Sequence, residues 1–178
     1  MTDTRLLAKI ERLSAIGIAL SAEKDHDRLL ESILMGAKEI SGADAGTLYL
    51  LRDDNRLHFE IVIADSMQVS MGGKSGNPVT MNPVPLYDEN GRPNKMNVVT
   101  CAALENRTIN IPDAYSCDDY DFSGTRKFDL KSGYKSQSFL SVPMCDHEDQ
   151  LIGVLQLINV IDPVNAQIIP FNKEDDPR

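Results

Sequence analysis

At 178 residues, with 42% hydrophobic and 25% charged side chains, the chain has the size and balance of one soluble folded domain. That composition excludes a disordered segment. Asp and Glu outnumber Lys and Arg by 27 to 18, a net charge of -9, which sets the chain against nucleic acid and anionic membrane surfaces, since both are bound through Lys and Arg. No apolar run approaches the roughly 18 residues that a membrane span needs, and the opening Met1-Thr2-Asp3-Thr4-Arg5 lacks the pattern of a signal peptide. Cys101, Cys117 and Cys145 show no C-x-x-C spacing, so they read as reduced thiols of a cytoplasmic protein rather than a disulfide or zinc framework.

Residues 1–41 read as two helices. Leu6, Leu7, Ile10, Leu13, Ile16, Gly17 and Leu20 recur at three- and four-residue spacing; a second stripe follows through Leu29, Leu30, Ile33, Leu34, Ala37 and Ile40. Asp25 is placed to cap the second helix and Gly42 to end it in the left-handed conformation. The first stripe packs either on its own domain or on a second copy of the chain.

From Thr47 the period falls to two. Thr47 to Leu51, the turn Asp53-Asp54-Asn55, and Leu57, Phe59, Ile61 and Ile63 alternating with His58, Glu60 and Val62 predict a hairpin with one face packed. Residues 64–82, rich in Gly, Ser and Asn, predict a long loop of the binding or mobile kind. Pro83 and Pro85 confine Pro83-Val84-Pro85-Leu86-Tyr87 to a sheet edge, because neither proline can donate to a ladder. Asn97 is placed to cap a short helix carrying Val98, Val99, Ala102, Ala103 and Leu104. Thr108 to Ile111 predicts a brief strand, 125–132 a helix closed by Gly133, and Ser138 to Met144 and Leu151 to Asn159 two antiparallel strands. The order predicts an α+β domain, with helices packed on a central antiparallel sheet.

Catalytic chemistry finds little support. His26 lies at a helix start, His58 on the polar side of its strand and His147 at a hairpin tip, and no nucleophile-elbow, zinc-helix, phosphate-loop or dinucleotide motif occurs. Asp118-Asp119 lacks a convergent third metal ligand. Cys101 falls in the first turn of its helix, where the amides and dipole would lower a thiol pKa; the alternative is a small buried side chain beside Ala102.

The segment from Asn97 to Asn159 is the specific one. Asn110-Ile111-Pro112-Asp113-Ala114-Tyr115, Phe128-Asp129-Leu130-Lys131-Ser132-Gly133-Tyr134-Lys135-Ser136, Leu140-Ser141-Val142-Pro143-Met144 and Ile152-Gly153-Val154-Leu155-Gln156-Leu157-Ile158-Asn159 resemble, in order, the motifs of a GAF domain. The resemblance is to the branch of cyclic-nucleotide phosphodiesterases, GAF-containing adenylate cyclases and bacterial HD-type phosphohydrolases. It implies a sensory module with N-terminal helices on one face of the sheet and pocket-forming loops and short helices on the other. The implied ligand contacts are Thr47, Val98, Val99, Asp129, Ser132, Ser136 and Gln156. A helix N-terminus can hold a cyclic phosphate through backbone amides, without a basic side chain.

The sequence departs from that branch where Val160 replaces a lysine, Asp176 a glutamate and Gln156 an acid; Asn159, Phe171 and Asp175 keep the pattern. The lysine–aspartate pair associated with a closed pocket cannot form, which weakens the case for cyclic AMP or GMP. Residues 1–178 are expected to be one sensor domain: leading helices at 1–41, sheet and pocket at 42–160, and an exit segment at 161–178 toward an output domain. It is expected to be non-catalytic itself, to need no metal or cofactor, and to pair as a homodimer through its N-terminal helices. A dimerisation module with a vestigial pocket is the alternative. A thiol-dependent methionine sulfoxide reductase is the enzymatic one, although Cys101 does not fall at the family's catalytic position.

Overall fold

The computed structural model describes residues 2–172, without the side chains of residues 2–7 and 9. Helix α1 (Thr2–Ala22) leads into α2 (His26–Ser41). The Asp25 carboxylate accepts the Arg28 amide at 3.1 Å to start α2, and Gly42, at φ 71°, ends it with its N–H on the Lys38 carbonyl. Only a residue without a Cβ adopts that backbone cheaply. Leu30 and Leu34 of α2 are buried on the sheet, whereas α1 packs on α2 through half-buried Ile16 and Leu20. Gly36 receives the Ile16 side chain. Ile10, Leu13 and Ile18 remain exposed, and the Leu6 and Leu7 side chains lie outside the described residues.

The sheet is antiparallel throughout and comprises, among the described residues, β1 (Ala43–Arg52), β2 (Arg56–Ala64), β3 (Val69–Gly72), β4 (Val84–Pro85), β5 (Ile109–Ile111), β6 (Phe139–Cys145), β7 (Leu151–Ile161) and β8 (Ile168–Ile169). The order across it is β3-β2-β1-β7-β6-β5, with β4 also on β2 and β8 on β7. One face packs under α2 through Leu48, Leu155 and Leu157; the other packs under α3 (Val98–Glu105) and the segments around α4 (Ser123–Ser132), through Tyr49, Phe122 and Phe139. This is the α+β sheet-and-helix architecture expected from the sequence.

Three expectations need correcting. The β1–β2 hairpin is packed on both faces. Leu48 pairs with Ile61 but Tyr49 with Phe59, so Glu60 is an extra residue on β2. Such a bulge reverses the facing of all side chains beyond it. Leu57 and Phe59 accordingly join Tyr49 and Val99, while Ile61 and Ile63 join Leu34 and Leu48 under α2. The unbroken alternation of the sequence conceals that switch. Second, the long loop at 64–82 contains β3, which extends the hairpin and ends at Gly72, where a Cβ would lie 1.9 Å from the Glu60 carbonyl oxygen. Third, the segment after residue 160 folds back as β8, and Phe171 is buried with its carbonyl accepting from Asn110 Nδ2 at 3.3 Å. Asp175 and Asp176 lie outside the described residues.

β1 and β7 meet closely at Gly153, where an added Cβ would stand 2.0 Å from the Tyr49 carbonyl oxygen. The backbone cannot yield there without opening the central pair. Gly153→Ala is therefore expected to reduce the unfolding free energy by about 1–3 kcal/mol, the usual cost of overpacking. Equilibrium urea denaturation measures it; an unchanged midpoint would contradict the β1–β7 pairing described.

Candidate functional site

A cavity of about 470 Å³ lies between the sheet face opposite α2 and the segments carrying α3 and α4. Its volume falls within the roughly 300–1,000 Å³ of sites that take drug-sized ligands. Thr47 of β1 and Gln156 of β7 stand side by side in its floor, because the two residues are register partners. Gln156 Nε2 donates to Ser141 Oγ at 2.9 Å, and its Oε1 accepts from the Tyr49 hydroxyl at 3.4 Å. This buried floor is polar and uncharged. Burial pushes the Tyr49 phenol well above its ordinary pKa, with the Thr47 hydroxyl opposing the shift.

One wall is the N-terminus of α3. Asn97 starts the helix as expected, its Oδ1 accepting from the Val99 and Thr100 amides at 3.0 and 3.4 Å. Val98 and Val99 line the cavity from the first turn. Another wall is the segment expected to be a loop, which supplies Met67, Met71 and Met81, with Val84 of β4 beside it.

The roof is α4, through Gly124, Thr125 and Phe128. Its apolar side chains do not anchor it: Phe128 and Leu130 are exposed, and the one buried residue of the helix is Asp129. The Asp129 carboxylate accepts from the Tyr115 hydroxyl at 2.6 Å, the Ser136 amide at 2.8 Å and the Ser136 hydroxyl at 2.7 Å. The hydrogen bond to that carboxylate in turn raises the Tyr115 phenol above its ordinary pKa. Ser132 is exposed and serves the helix end, donating to the Phe128 carbonyl at 2.8 Å and accepting from the Tyr134 amide at 3.2 Å.

Of the seven residues singled out in the sequence, the structure gathers Thr47, Val98, Val99, Ser136 and Gln156 around one cavity. Asp129 and Ser132 are not in its lining. Asp129 stands behind Ser136 and positions it, and Ser132 closes α4 before Gly133 at φ 77°.

Sequence reasoning missed Tyr134 and the three methionines. Tyr134 lines the cavity and donates its hydroxyl to Asp44 Oδ2 at 2.7 Å, the same carboxylate that accepts from the Ser66 hydroxyl at 2.7 Å and the Ser66 amide at 3.0 Å. Burial, followed by the Asp44 carboxylate, holds the Tyr134 phenol far above its ordinary value. Tyr134 lies inside the quoted motif, so its aromatic ring beside Ser132 and Ser136 was the available signal. The methionines had a weaker one, apolar residues scattered through a Gly- and Ser-rich stretch.

The Val160 exchange falls away from the cavity, for Val160 packs in the α2-side cluster that also holds Phe171. A charged tie exists elsewhere: buried Lys38 of α2 places Nζ 2.6 Å from Asp65 Oδ1. Its stem crosses Gly46, where a Cβ would meet Lys38 Cγ at 3.2 Å. Asn159 keeps its motif position at φ 60°, with Oδ1 accepting the Gln137 and Ser138 amides at 2.8 and 3.2 Å and Nδ2 on the Lys135 carbonyl. Cys101 is buried on α3 with Sγ 4.0 Å from the Tyr120 hydroxyl, and neither it, Cys117 nor Cys145 lines the cavity.

The architecture is an antiparallel sheet with helices on one face and a ligand-sized cavity under short helices on the other. Residues 25–176 match the GAF domain family, and the chain belongs to it. GAF domains are generally regulatory and non-catalytic. Over 137 residues, 77% of this chain, it is 30% identical to the cGMP-specific 3',5'-cyclic phosphodiesterase of Drosophila pseudoobscura pseudoobscura and 29% identical to that of Drosophila melanogaster. The chain spans only about a tenth of those relatives' length, 12% and 11%. The fold is shared with the GAF domain of an Acinetobacter phosphoenolpyruvate-protein phosphotransferase, at TM-score 0.63 and 15% identity over 94% of this chain and 83% of that one. It is shared also with the free methionine-R-sulfoxide reductase of Neisseria meningitidis, at TM-score 0.61 and 17% identity over 94% and 79%.

The raised phenols make stability depend on alkaline pH. Tyr49 and Tyr134 hold their protons more tightly folded than unfolded, where a tyrosine ionises near 10.0. The stabilisation is complete below that value and is lost as pH rises above it toward the folded values. Urea midpoints are expected to fall between about pH 9.5 and 11, and to fall less steeply in Tyr134→Phe. A variant with the slope of the parent would contradict the half-buried Tyr134–Asp44 bond.

Proposed function

We propose that the chain is the small-molecule sensor domain of a bacterial, cytoplasmic signalling protein whose output is a phosphohydrolase or cyclase. The carrying observation is a preformed, ligand-sized cavity whose roof helix is tied down by one hydrogen-bonded aspartate. Ligand binding biases α4 and the 112–136 segment between two arrangements, and only a difference in affinity between them carries a signal. Two contacts link the rim to the far side of the sheet: Asp44 joins Tyr134 to the 65–68 turn, and Lys38 joins that turn to α2. The cyclic-nucleotide version of this proposal takes its support from the phosphodiesterase relatives.

A second reading, a homodimer through the N-terminal helices, is favoured by exposed Ile10, Leu13 and Ile18 on α1 and exposed Met35 on α2. The two readings are compatible, since a paired helix is a natural relay. The reductase alternative draws nothing from the cavity, which no cysteine lines.

Calorimetry against cyclic AMP and cyclic GMP tests the cyclic-nucleotide version. Saturable heat that disappears in Gln156→Ala supports it, with a raised thermal midpoint as the linked effect of binding the folded state. No heat at millimolar concentration removes it. Sedimentation equilibrium tests the dimer: a concentration-dependent mass, reduced to monomer by Leu13→Glu, is expected, and a monomer throughout contradicts it.

A further inference from the structure

The two partners of the Asp129 carboxylate lead, by separate stretches of chain, to the last described residues of the protein. Ser136, which gives the carboxylate its amide and hydroxyl, stands two positions before Ser138. Ser138 is fully buried and donates its hydroxyl to the Ile169 carbonyl at 2.9 Å. Tyr115, the other partner, follows the end of β5 by four residues, and Asn110 at the centre of β5 donates Nδ2 to the Phe171 carbonyl at 3.3 Å. The Ala114 amide, on the Gln137 carbonyl at 2.8 Å, braces one stretch against the other. Asn159 fixes the first of them, accepting the Gln137 and Ser138 amides and donating to the Lys135 carbonyl. A stretch held at each of these positions has little slack, so a shift of Ser136 is passed to Ser138 rather than absorbed.

The sheet shows why Ser138 is the junction. Val160 of β7 has Ala43 on one side and Ile169 on the other, so β8 lies on the β6 side of β7. β6 itself begins at Phe139, opposite Ile158. The place beside β7 therefore passes from β6 to β8 at Asn159, and Ser138 sits where it does so.

The hold on residues 168–172 is small. β8 pairs over two residues, and Phe171 is the one fully buried residue of the segment. Asn110 Oδ1 is buried with no hydrogen-bond partner among the described residues. The cost of that unpaired acceptor offsets the bond that the same side chain makes to Phe171. Segments with so few ties open at low cost.

We propose that residues 168–172 are a latch coupled to the roof: α4 leaving its closed position loosens the ties on Ile169 and Phe171, and holding the segment holds the roof. Linkage makes the coupling reciprocal. The proposal deepens the sensor reading and rests on it for its role, since it carries the state of the roof around the β5–β6 end of the sheet to the chain beyond Asn172.

Amide hydrogen exchange on the chain without ligand tests it, comparing the parent with Phe171→Ala, Ser138→Ala, Asp129→Asn and Leu30→Ala. Leu30 belongs to the same apolar cluster as Phe171 and makes neither tie. Phe171→Ala and Ser138→Ala are each expected to speed exchange at 123–132 roughly fivefold or more, the lower end of usual coupling between sites, whereas Leu30→Ala leaves it within about twofold. In reverse, Asp129→Asn is expected to speed exchange at 166–172 by a similar factor. A cooperative thermal transition shows that each variant folds; Ser138→Ala, which loses one hydroxyl, decides alone if a truncation in the cluster does not. Unchanged exchange at 123–132 in Ser138→Ala, an equal rise in Leu30→Ala, or unchanged exchange at 166–172 in Asp129→Asn overturns the proposal. Because no ligand is present, each of these results leaves the sensor reading standing, and silent calorimetry counts against that reading alone.

Discussion

The roof of the cavity hangs on hydrogen bonds to one carboxylate rather than on apolar burial. Asp129 gathers the Tyr115 hydroxyl and both the amide and hydroxyl of Ser136, and thereby joins α4, the 112–122 segment and the segment leading into β6. Hydrogen bonds to a charged group contribute about 1.5–3 kcal/mol each and are directional. A helix attached that way has a defined closed position, yet it does not carry the large apolar contact that would fix it permanently. With Phe128 and Leu130 exposed, the hydrophobic contact that opposes opening is confined to Phe122 at the start of α4, buried against Phe139. That combination suits a part whose position answers to a ligand.

The rigid half of the molecule lies beneath it. β1 and β7 form the centre of the sheet, and the extra residue at Glu60 lets β2 serve both cores, Leu57 and Phe59 on the cavity side and Ile61 and Ile63 under α2. Polar ties cross from one side to the other at the end of that hairpin. Lys38 reaches Asp65 over the side-chain gap at Gly46, and Asp44 holds Ser66 and Tyr134 together. The path from roof to α2 is thus short and made of few, specific bonds.

Much of this was legible in the residues. Helix ends carried their own chemistry: Asp25, Asn97, Gly42 and Gly133 stand where capping and left-handed backbone place them. Strand periodicity located β1, β2, β6 and β7. Two-residue strands such as β8 were invisible because they hold no period, and the bulge at Glu60 was hidden because the residues on either side are apolar on both faces. Asp129 was visible as important but not in its role: a motif aspartate reads alike whether it faces the cavity or holds a serine of the cavity wall. Tyr134 depends on Asp44, 90 positions away, a pairing that only the folded chain brings about.

Amide hydrogen exchange on the parent and on Asp129→Asn tests most directly whether this carboxylate holds the roof. The variant keeps the side-chain volume but loses acceptor capacity. Protection in 123–132 and 134–138 is expected to fall roughly tenfold or more, as loss of charge-assisted hydrogen bonds requires, while the central amides of β1 and β7 keep theirs. Unchanged protection across α4 would contradict the account.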